Sequence, residues 1–423
     1  MIIQHNNLVH WEEAMERICF RTSFAGVLAV ALGAFSATAT AGEDSHWLTP
    51  TMINARAHMF EPALNYLTFQ HMDKMLAVRA VAAGNDVWEL PAKPASIEGE
   101  FTFRGKTLDL EGFLEASSTN ALVVVKDGSI VYETYRNGSD SGTRFLTFSV
   151  AKSYVSTLIG LALADGAIKS LDDKVTDYLP EMKGTGYDGP TIRDLLLMRS
   201  GVDWLEVYAF GSDTQLTKVH DNSIVAYRYR WCDYAANESK PGPNKPGAVH
   251  NYATLDTSVL GCILEKAVGK TGAEYMSEKL WKPIGMEHDA YWIMDGTESV
   301  GREFFGAGLN ATARDHARFG MMFLSGGVAD GKQVVPAEWV KEATVPNEGH
   351  EPTAPGENLG YQYQWWTIPN SDAYSAIGLH HQFIYIDPAH NMVIVKVGHT
   401  PEPVGQDAEN IAFFQQIAKQ LSR

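Results

Sequence analysis

The sequence lacks the short motifs that identify several large enzyme classes. It has no H-E-x-x-H zinc motif, no G-x-S-x-G nucleophile elbow and no complete glycine-rich phosphate loop. It also has no low-complexity segment and no internal repeat. These absences weigh against zinc peptidases, α/β-hydrolases and phosphate-loop proteins. With 423 residues, 45% of them hydrophobic, the chain can bury a sizeable core as a single large unit.

Positive charge and cysteine are also scarce. The chain carries 34 Lys and Arg against 51 Asp and Glu, a formal net charge of -17. This balance disfavours nucleic acid and anionic membrane surfaces as partners. Beyond residue 41 the only cysteines are Cys232 and Cys262. They could form a disulfide, or Cys262 could be a small buried hydrophobe within an apolar helical pattern. We predict no thiol chemistry.

The N-terminal apolar run is too short to cross a bilayer. It covers residues 24–35, follows Arg17 and Arg21, and precedes Ala39-Thr40-Ala41. A cationic region, a short apolar stretch and a small-residue site form the pattern of a signal peptide over residues 1–41, cleaved after Ala41. Since 12 residues cannot span the membrane, we expect a periplasmic or secreted protein with no stable membrane anchor.

The segment Ser149-Val150-Ala151-Lys152 is the one place where a lysine follows a serine by three residues. On a helix these two positions share a face, so the Lys152 amine can lie beside the Ser149 hydroxyl. The helix N-terminus would also direct backbone N–H groups toward an oxyanion formed there. About one such motif is expected by chance in a chain of this size. The alternative interpretation is an exposed N-cap serine with a solvated lysine.

The surroundings of Ser149 favour a presented nucleophile. Residues 121–135 form two β-branched or aromatic runs around Asp127-Gly128, a dipeptide that favours a tight hairpin turn. Residues 149–166 show helical spacing, with Ser149 near the start and Gly166 near the end. The serine is therefore predicted at a loop-to-helix junction that follows a sheet.

Lys152 needs help before it can accept a proton. A lysine at its ordinary pKa of about 10.4 is charged at neutral pH. Either burial and nearby dipoles lower that pKa, or a phenolate-like partner shares the proton. Tyr252 is the best candidate partner, because it ends the Gly/Pro-rich loop of residues 241–247 and precedes a helical pattern that begins at Leu255.

A third element lies near the C-terminus. Residues 378–382 precede two strand-like runs, residues 383–388 and 392–397, which are joined by a turn. An edge strand at this place could supply a second donor to an oxyanion.

Together, the motifs S-x-x-K at Ser149, Y-x-T at Tyr252 and the segment before Phe383 resemble the serine β-lactamase-like superfamily. The resemblance runs from about Phe101 to the C-terminus and is closest to the class C-like branch of esterases and 6-aminohexanoate-dimer hydrolases. It implies that Ser149 is the nucleophile, Lys152 its partner in proton abstraction, and Tyr252 the acid or base toward the leaving group. It also implies an oxyanion hole formed by the Ser149 and Gln382 N–H groups.

The chain departs from the superfamily pattern at two motifs. Thr254 takes the third Y-x-N position, and Leu379-His380-His381 stands where K-T-G is expected. By this correspondence Thr254, His380 and His381 would bind substrate. Since the lysine of K-T-G is missing, a neutral ester or a different amide is favoured over a penicillin. We predict no cofactor. We also predict no metal at the histidine pair, because neighbours on a strand point to opposite faces and no carboxylate or cysteine lies at ligand spacing. For the same reason, one of the two histidines should face the cleft.

The distribution of strand signals predicts an α+β fold. Strands concentrate before Ser149 and after Tyr361, while helical patterns dominate between them. We expect an antiparallel sheet flanked by helices, interrupted by a mainly helical lobe at about residues 167–340, with the active site between the lobes. Residues 42–100 would form an N-terminal arm without assigned chemistry, and residues 101–423 the β-lactamase-like domain.

Two aromatic segments are ambiguous. Trp204, Glu206 and Tyr208 either border the pocket or lie on an exposed loop anchored by the tryptophan. The alternating residues Tyr361, Tyr363 and Trp365 should share one face of a strand, in the core or along the cleft.

These observations predict a serine hydrolase that cuts a small carboxylic ester or amide through an acyl-enzyme. A β-lactamase or a D-amino-acid peptidase is the alternative within the same chemistry. A non-catalytic relative that binds cell-wall or other ligands without turnover is the alternative outside it.

Overall fold

The computed structural model describes residues 43–345 and 359–422, so the predicted signal peptide and its cleavage site lie outside the described chain. Within these ranges, no helix is both long enough and apolar enough to cross a membrane. The strands are β1 (Val78–Val81), β2 (Phe101–Phe103), β3 (Lys106–Leu108), β4 (Thr119–Lys126), β5 (Ser129–Tyr135), β6 (Arg144–Leu146), β7 (Ala290–Ile293), β8 (Leu309–Thr312), β9 (Val328–Ala329), β10 (Lys332–Gln333), β11 (Gly360–Gln362), β12 (Trp365–Thr367), β13 (Tyr374–Gly378), β14 (Gln382–Asp387) and β15 (Met392–Gly398).

The strands are connected and covered by α-helices that range from 3 to 15 residues in length. The α-helices are α1 (Pro50–Ala57), α2 (Asn65–Thr68), α3 (Leu110–Ala116), α4 (Val150–Ala164), α5 (Val175–Tyr178), α6 (Ile192–Leu196), α7 (Gln215–His220), α8 (Trp231–Glu238), α9 (Thr254–Val268), α10 (Gly272–Met276), α11 (Lys282–Ile284), α12 (Ala313–Leu324), α13 (Ala337–Thr344) and α14 (Asp407–Leu421). Two π-helical turns, Asp221–Val225 and Ser277–Trp281, extend α7 and α10.

The main framework is a seven-stranded antiparallel sheet in the order β11-β12-β13-β14-β15-β4-β5. The predicted hairpin is present, since Asp127 and Gly128 join β4 to β5 with positive φ angles of 49° and 75°. One face of the sheet packs on α4 and α12, and the other on α14, so two apolar layers enclose it. The α+β class and the antiparallel sheet flanked by helices are confirmed.

Helix α4 runs through the centre of the molecule between the sheet and the helical region. It is buried along most of its length, and it packs against α9 as well as β13. Gly160 permits a close neighbour here, because a Cβ at this position would lie 2.3 Å from the Trp339 ring. The N-terminus of α4, and with it Ser149, is thereby held where sheet and helical lobe meet.

The predicted lobe of residues 167–340 needs a correction at its C-terminal end. Helix α12 lies against β14 and β15 of the main sheet. Its small residues permit this, since a Cβ on Gly320 would lie 2.6 Å from the Val393 side chain. The helical lobe therefore consists of α5 to α11, and α12 belongs to the sheet layer.

Residues 43–100 are more than an appended arm. Strand β1 pairs with β7 in a second antiparallel sheet, ordered β1-β7-β8-β6. Met59, Phe69, Met72 and Leu76 of this segment are buried in the main core. The segment is therefore an integral part of the domain, and it reaches the active-site region described below.

The aromatic residues of segment 361–365 lie in a hairpin, not on one strand as the sequence predicted. Tyr361, Tyr363 and Trp365 are all buried, but the chain turns at Tyr363 and Gln364, where φ is 36° and 69°, so these residues form the hairpin of β11 and β12 instead of one strand. Cys232 of α8 and Cys262 of α9 are joined by a disulfide, with their Cα atoms 6.5 Å apart. This answers the question that the sequence left open about the two cysteines.

Candidate active site

Ser149 stands at the junction between a sharp turn and helix α4. Phe148, the residue before it, has a φ of 46°, a conformation that is uncommon for a bulky side chain. Ser149 is the N-cap residue, yet its hydroxyl makes no capping hydrogen bond to the helix backbone. The side chain is 8% exposed and lines a cleft. The alternative of an exposed capping serine does not describe this geometry.

Lys152 points at Ser149 from one turn further along α4. Its Nζ lies 2.9 Å from Ser149 Oγ, 3.1 Å from Thr254 Oγ1 and 2.7 Å from the Gly306 carbonyl oxygen. The lysine is only 1% exposed, so it is not a solvated surface residue. Burial lowers its pKa to about 8, although the negative charge of Glu206 acts in the opposite direction.

The three contacts of Lys152 define where its lone pair points. The Gly306 carbonyl can only accept a hydrogen bond. Thr254 Oγ1 donates its own hydrogen to Glu206, so toward Lys152 it also accepts. A neutral amine has two N–H groups, which these two acceptors use. The remaining lone pair faces Ser149 Oγ, which is the arrangement needed to take the hydroxyl proton.

Glu206 is the residue that fixes Thr254. Its carboxylate accepts hydrogen bonds from the Thr254 N–H at 3.0 Å and the Tyr208 hydroxyl at 2.9 Å, and also from Thr254 Oγ1 and Trp204 Nε1. Four donors converge on an acceptor, which suits an ionised carboxylate. Glu206 and Tyr208 therefore line the site, one of the two alternatives left by the sequence, while buried Trp204 holds the Glu206 carboxylate through Nε1.

Tyr252 completes the group around the nucleophile. Its ring stacks on Trp366 and meets the edge of Tyr361, with centroid distances of 5.6 Å and 5.8 Å. Lys152 Nζ lies 5.1 Å from the centre of the Tyr252 ring. Burial raises the pKa of the Tyr252 phenol well above its ordinary value, a hydrogen bond with Ser149 partly offsets this, and Glu206 adds to it. The phenol is therefore protonated at neutral pH, and the amine is the better base.

The end of strand β13 forms the opposite wall. A Cβ on Gly378 would lie 2.2 Å from the Thr147 carbonyl oxygen and 3.1 Å from Ser149 N, so the strand can approach only because this residue is glycine. Ile377, Gly378 and Leu379 all line the cleft beside Ser149. Gly378, and not His381, thus provides the close backbone approach that a K-T-G glycine supplies.

Gln382, His380 and His381 are not among the residues that line this cleft, which corrects the sequence-based placement. The Gln382 side-chain amide donates to the carbonyl oxygens of His380 and Gly398, at 3.0 Å and 2.8 Å. His380 and His381 have φ angles of 60° and 68°, so they occupy a turn where strand alternation does not apply. The segment with which we aligned K-T-G begins one residue beyond the end of β13.

Both histidines are buried, and neither lines the cleft. His380 packs against Phe69 and Phe148 and contacts the Thr400 carbonyl through Nδ1 at 2.6 Å. His381 meets the edge of Phe103, on the other face of the sheet. Burial lowers the pKa of His380 to about 4 and that of His381 to about 3, so neither supplies a cation at neutral pH. In the described parts of the chain, no cluster of His, Cys, Asp and Glu could hold a metal ion.

The cleft on the Tyr252 side of Ser149, here called the outer cleft, has a cavity volume of about 210 Å³. Its walls include Glu206, Tyr208, Tyr252, Trp366, Leu379 and Asp407. Thr254, predicted to bind substrate, joins Lys152 to Glu206, is only 4% exposed, and lines a second pocket beside Ser149. The sequence analysis named Glu206 as a candidate pocket residue but did not predict its contact with Thr254.

A lysine beside a serine on one helical turn, set between an antiparallel sheet and a helical lobe, defines this protein as a serine hydrolase of the S-x-x-K type. The chain belongs to the beta-lactamase family, whose model matches residues 114–418. It is 32% identical over 352 residues to the 6-aminohexanoate-dimer hydrolase of Paenarthrobacter ureafaciens. This match covers 80% of the present chain and 86% of that hydrolase.

Solved structures show the same architecture. A candidate 6-aminohexanoate-dimer hydrolase from Bacillus anthracis superposes with a TM-score of 0.76 at 28% identity, covering 88% of this chain and 98% of that one. A family VIII carboxylesterase superposes with a TM-score of 0.56 at 17% identity, over 73% of this chain and 94% of the other. The second likeness supports the fold only.

Proposed function

We propose that this protein hydrolyses a small, neutral carboxylic ester through an acyl-enzyme formed on Ser149. The observation that carries the proposal is the contact of 2.9 Å between Lys152 Nζ and Ser149 Oγ, with the two amine hydrogens engaged elsewhere. A pKa of about 8 keeps a useful fraction of Lys152 neutral near physiological pH.

In the proposed reaction, Ser149 Oγ bonds to the substrate carbonyl carbon while its proton passes to Lys152. The oxyanion would accept hydrogen bonds from the Ser149 and Leu379 N–H groups, which replaces Gln382 in that role. Tyr252 then gives its proton to the leaving oxygen as the ester bond breaks, and the proton held by Lys152 restores the phenol. In the second half, a water oxygen bonds to the acyl carbon while the water gives a proton to Lys152. The bond from the acyl carbon to Ser149 Oγ then breaks, Lys152 returns the proton to Oγ, and the carboxylic acid leaves.

The charges around the outer cleft support a substrate without a carboxylate. Glu206 and Asp407 are acidic, and no lysine or arginine is among the described residues lining it. The β-lactam and D-peptide alternatives both place a carboxylate near the reacting bond, where it would meet these acids. A small amide is the second candidate, supported by the 32% identity to a 6-aminohexanoate-dimer hydrolase.

The test is a stopped-flow measurement of p-nitrophenol release from p-nitrophenyl acetate. We expect a burst equal to the enzyme concentration in the wild type, and none in Ser149→Ala. Ser156→Ala is the matched control, because it makes the same change on the same buried helix. Intact-mass analysis should find one acetyl group, located on the peptide that contains Ser149. A burst that survives in Ser149→Ala would contradict the proposal.

We also propose that the protein is exported to the periplasm or secreted. The N-terminal pattern before Gly42 supports this, and so does the Cys232–Cys262 disulfide, since such bonds persist in oxidising compartments. Fractionation of a Gram-negative host expressing the full chain should recover the mature protein outside the cytoplasm, beginning at Gly42. A cytoplasmic product that keeps residues 1–41 would overturn this proposal.

A further inference from the structure

A second pocket opens beside Ser149 and is distinct from the outer cleft. This inner pocket is smaller and more enclosed than the outer cleft. Its walls are mostly aromatic and aliphatic, and they include Met59, Phe60, Phe148, Leu216, Trp231 and Phe304. Met59 and Phe60 come from the N-terminal segment to which the sequence assigned no chemistry.

The position of Tyr252 indicates which part of the substrate, the acyl group or the leaving group, binds in the inner pocket and which in the outer cleft. Ser149 lines both spaces, whereas Tyr252 lines only the outer cleft. Because Tyr252 is the group proposed to protonate the leaving oxygen, the leaving group belongs in the outer cleft. The acyl half, which stays bonded to Ser149, then extends into the inner pocket.

The inner pocket contains no aspartate, glutamate, lysine or arginine among its described walls. Its Tyr208 and Thr254 hydroxyls are committed, because both donate to Glu206. A charged group at the end of an acyl chain would therefore lose its hydration without gaining a partner of opposite charge, which is costly. The walls suit an uncharged chain.

His220 supplies one uncommitted polar atom at the pocket wall. Its ring lies between Phe60 and Phe210, with centroid distances of 5.3 Å and 5.2 Å. Nδ1 lies 3.1 Å from Asp221 Oδ1, and Nε2 is buried without a hydrogen-bond partner in the described chain. With the hydrogen on Nδ1 directed at Asp221, Nε2 is an acceptor and can receive one neutral donor, such as a hydroxyl.

We infer that the inner pocket binds the acyl half of the substrate, and that this half is an uncharged apolar chain which tolerates a hydroxyl at the His220 end. The inference rests on the proposed function, since it needs an acyl group on Ser149. It separates this protein from an enzyme specialised for 6-aminohexanoyl groups, whose chains end in an ammonium.

Wild-type enzyme and p-nitrophenyl esters with one common leaving group test the inference directly. From acetate to heptanoate, kcat/KM should rise about two- to fourfold for each methylene that enters the pocket. A second comparison keeps the chain length similar and changes the end group. It uses the monoesters of heptanoate, 6-hydroxyhexanoate, 6-aminohexanoate and adipate. We expect kcat/KM for heptanoate and 6-hydroxyhexanoate to exceed that for the charged 6-aminohexanoate and adipate esters by about 100-fold or more.

The variant His220→Phe tests the assigned polar atom, because it keeps a ring between Phe60 and Phe210 but removes Nε2. The ratio of kcat/KM for 6-hydroxyhexanoate to that for heptanoate should fall about 10-fold in this variant. His71→Phe, a change at an exposed histidine, is the control and should leave the ratio unaltered. An unaltered ratio in His220→Phe would overturn the role of His220.

The outcomes separate this inference from the proposed function. If no ester of the series gives a burst, the proposed function fails. If acetate gives a Ser149-dependent burst but the 6-aminohexanoate ester matches or exceeds heptanoate, the nucleophile stands and the inferred apolar acyl pocket is wrong. A burst with acetate and a flat chain-length profile would likewise reject the inner pocket as the acyl site.

Discussion

The Glu206 carboxylate accepts the hydroxyl hydrogen of Thr254 and, at 3.0 Å, the backbone N–H of the same residue. This double contact makes Thr254 Oγ1 an acceptor toward Lys152 Nζ, 3.1 Å away. Glu206 does not contact Ser149, yet it determines how the lysine hydrogens are directed and raises the Lys152 pKa by its charge. It is a positioning residue with an electrostatic effect.

Glu206→Gln should move the pH profile of the enzyme. Removing the negative charge removes the one influence that raises the Lys152 pKa, so that pKa should fall below its value of about 8. Because the neutral amine is the active form, the rising limb of kcat/KM against pH should shift to lower pH. The plateau should also drop about 10- to 100-fold, since an amide can no longer accept from every donor.

The control for this variant is Glu115→Gln, which makes the same change at an exposed glutamate of α3. It should leave both the profile and the plateau unchanged. A Glu206→Gln enzyme that is slower but keeps the wild-type pH midpoint would mean that the carboxylate has only a structural role.

The activity of the wild type should itself depend on the ionisation of Lys152. Its pKa of about 8 predicts that kcat/KM for a neutral ester rises with pH and reaches half of its maximum near pH 8. Lys152→Arg should abolish the titration and lower kcat/KM by about 1000-fold, because arginine stays protonated. Lys266→Arg, at an exposed position of α9, is the matched control. A profile without a rise between pH 6 and about 9 would contradict this assignment.

Burial of the same lysine should cost stability. The folded-state pKa lies below the ordinary value of 10.5, so the unfolded chain binds more protons between about pH 8 and 10.5. The free energy of unfolding should therefore rise with pH through this window, and the destabilisation is fully present below pH 8. Lys152→Met should reduce that pH dependence to the part contributed by buried Lys396, whose pKa burial lowers to about 7. At pH 7 it should raise the free energy of unfolding by about 1 to 2 kcal/mol. Urea titrations at pH 7 and about pH 9.5 measure both effects, and a variant that keeps the wild-type slope with pH would contradict them.

The disulfide should contribute measurably to stability. It closes a loop with a sequence separation of 30. In the loop-entropy model this lowers the entropy of the unfolded chain and stabilises the fold by about 3.6 kcal/mol. The double variant Cys232→Ala, Cys262→Ala should therefore unfold at a lower urea concentration. A reducing agent should shift the wild type in the same direction and leave the variant unaffected. Equal midpoints for oxidised and reduced wild type would disagree with this prediction.

Local sequence patterns were sufficient for the parts of the site that lie close together in the chain. The spacing of Ser149 and Lys152 placed both on one helical turn, and Asp127-Gly128 indicated the preceding hairpin. Both are local relationships, set by helix periodicity and turn geometry. The contact between Glu206 and Thr254 spans 48 residues and depends on how a loop folds over α9, which no local pattern specifies.

The misplacement of His380 and His381 has a physical cause as well. Alternation of side chains holds only for extended backbone, and both residues have positive φ. The prediction therefore began the motif one residue after β13 had ended. Gly378 was visible in the sequence, but its importance depends on the Thr147 carbonyl, a tertiary neighbour.

Gly378→Ala tests whether β13 must touch the nucleophile. The new methyl would lie 2.2 Å from the Thr147 carbonyl oxygen and 3.1 Å from Ser149 N, so the strand must move away from Ser149. Displacing the proposed Leu379 donor should lower kcat about 100-fold, and the overpacking should cost about 1 to 3 kcal/mol of stability. Gly84→Ala is the matched control, because its methyl would meet only ordinary contacts at 3.6 Å. Acylation rates from stopped-flow bursts separate the two effects at a temperature where both variants stay folded. If folded Gly378→Ala acylated at the wild-type rate, the end of β13 could not be part of the oxyanion hole.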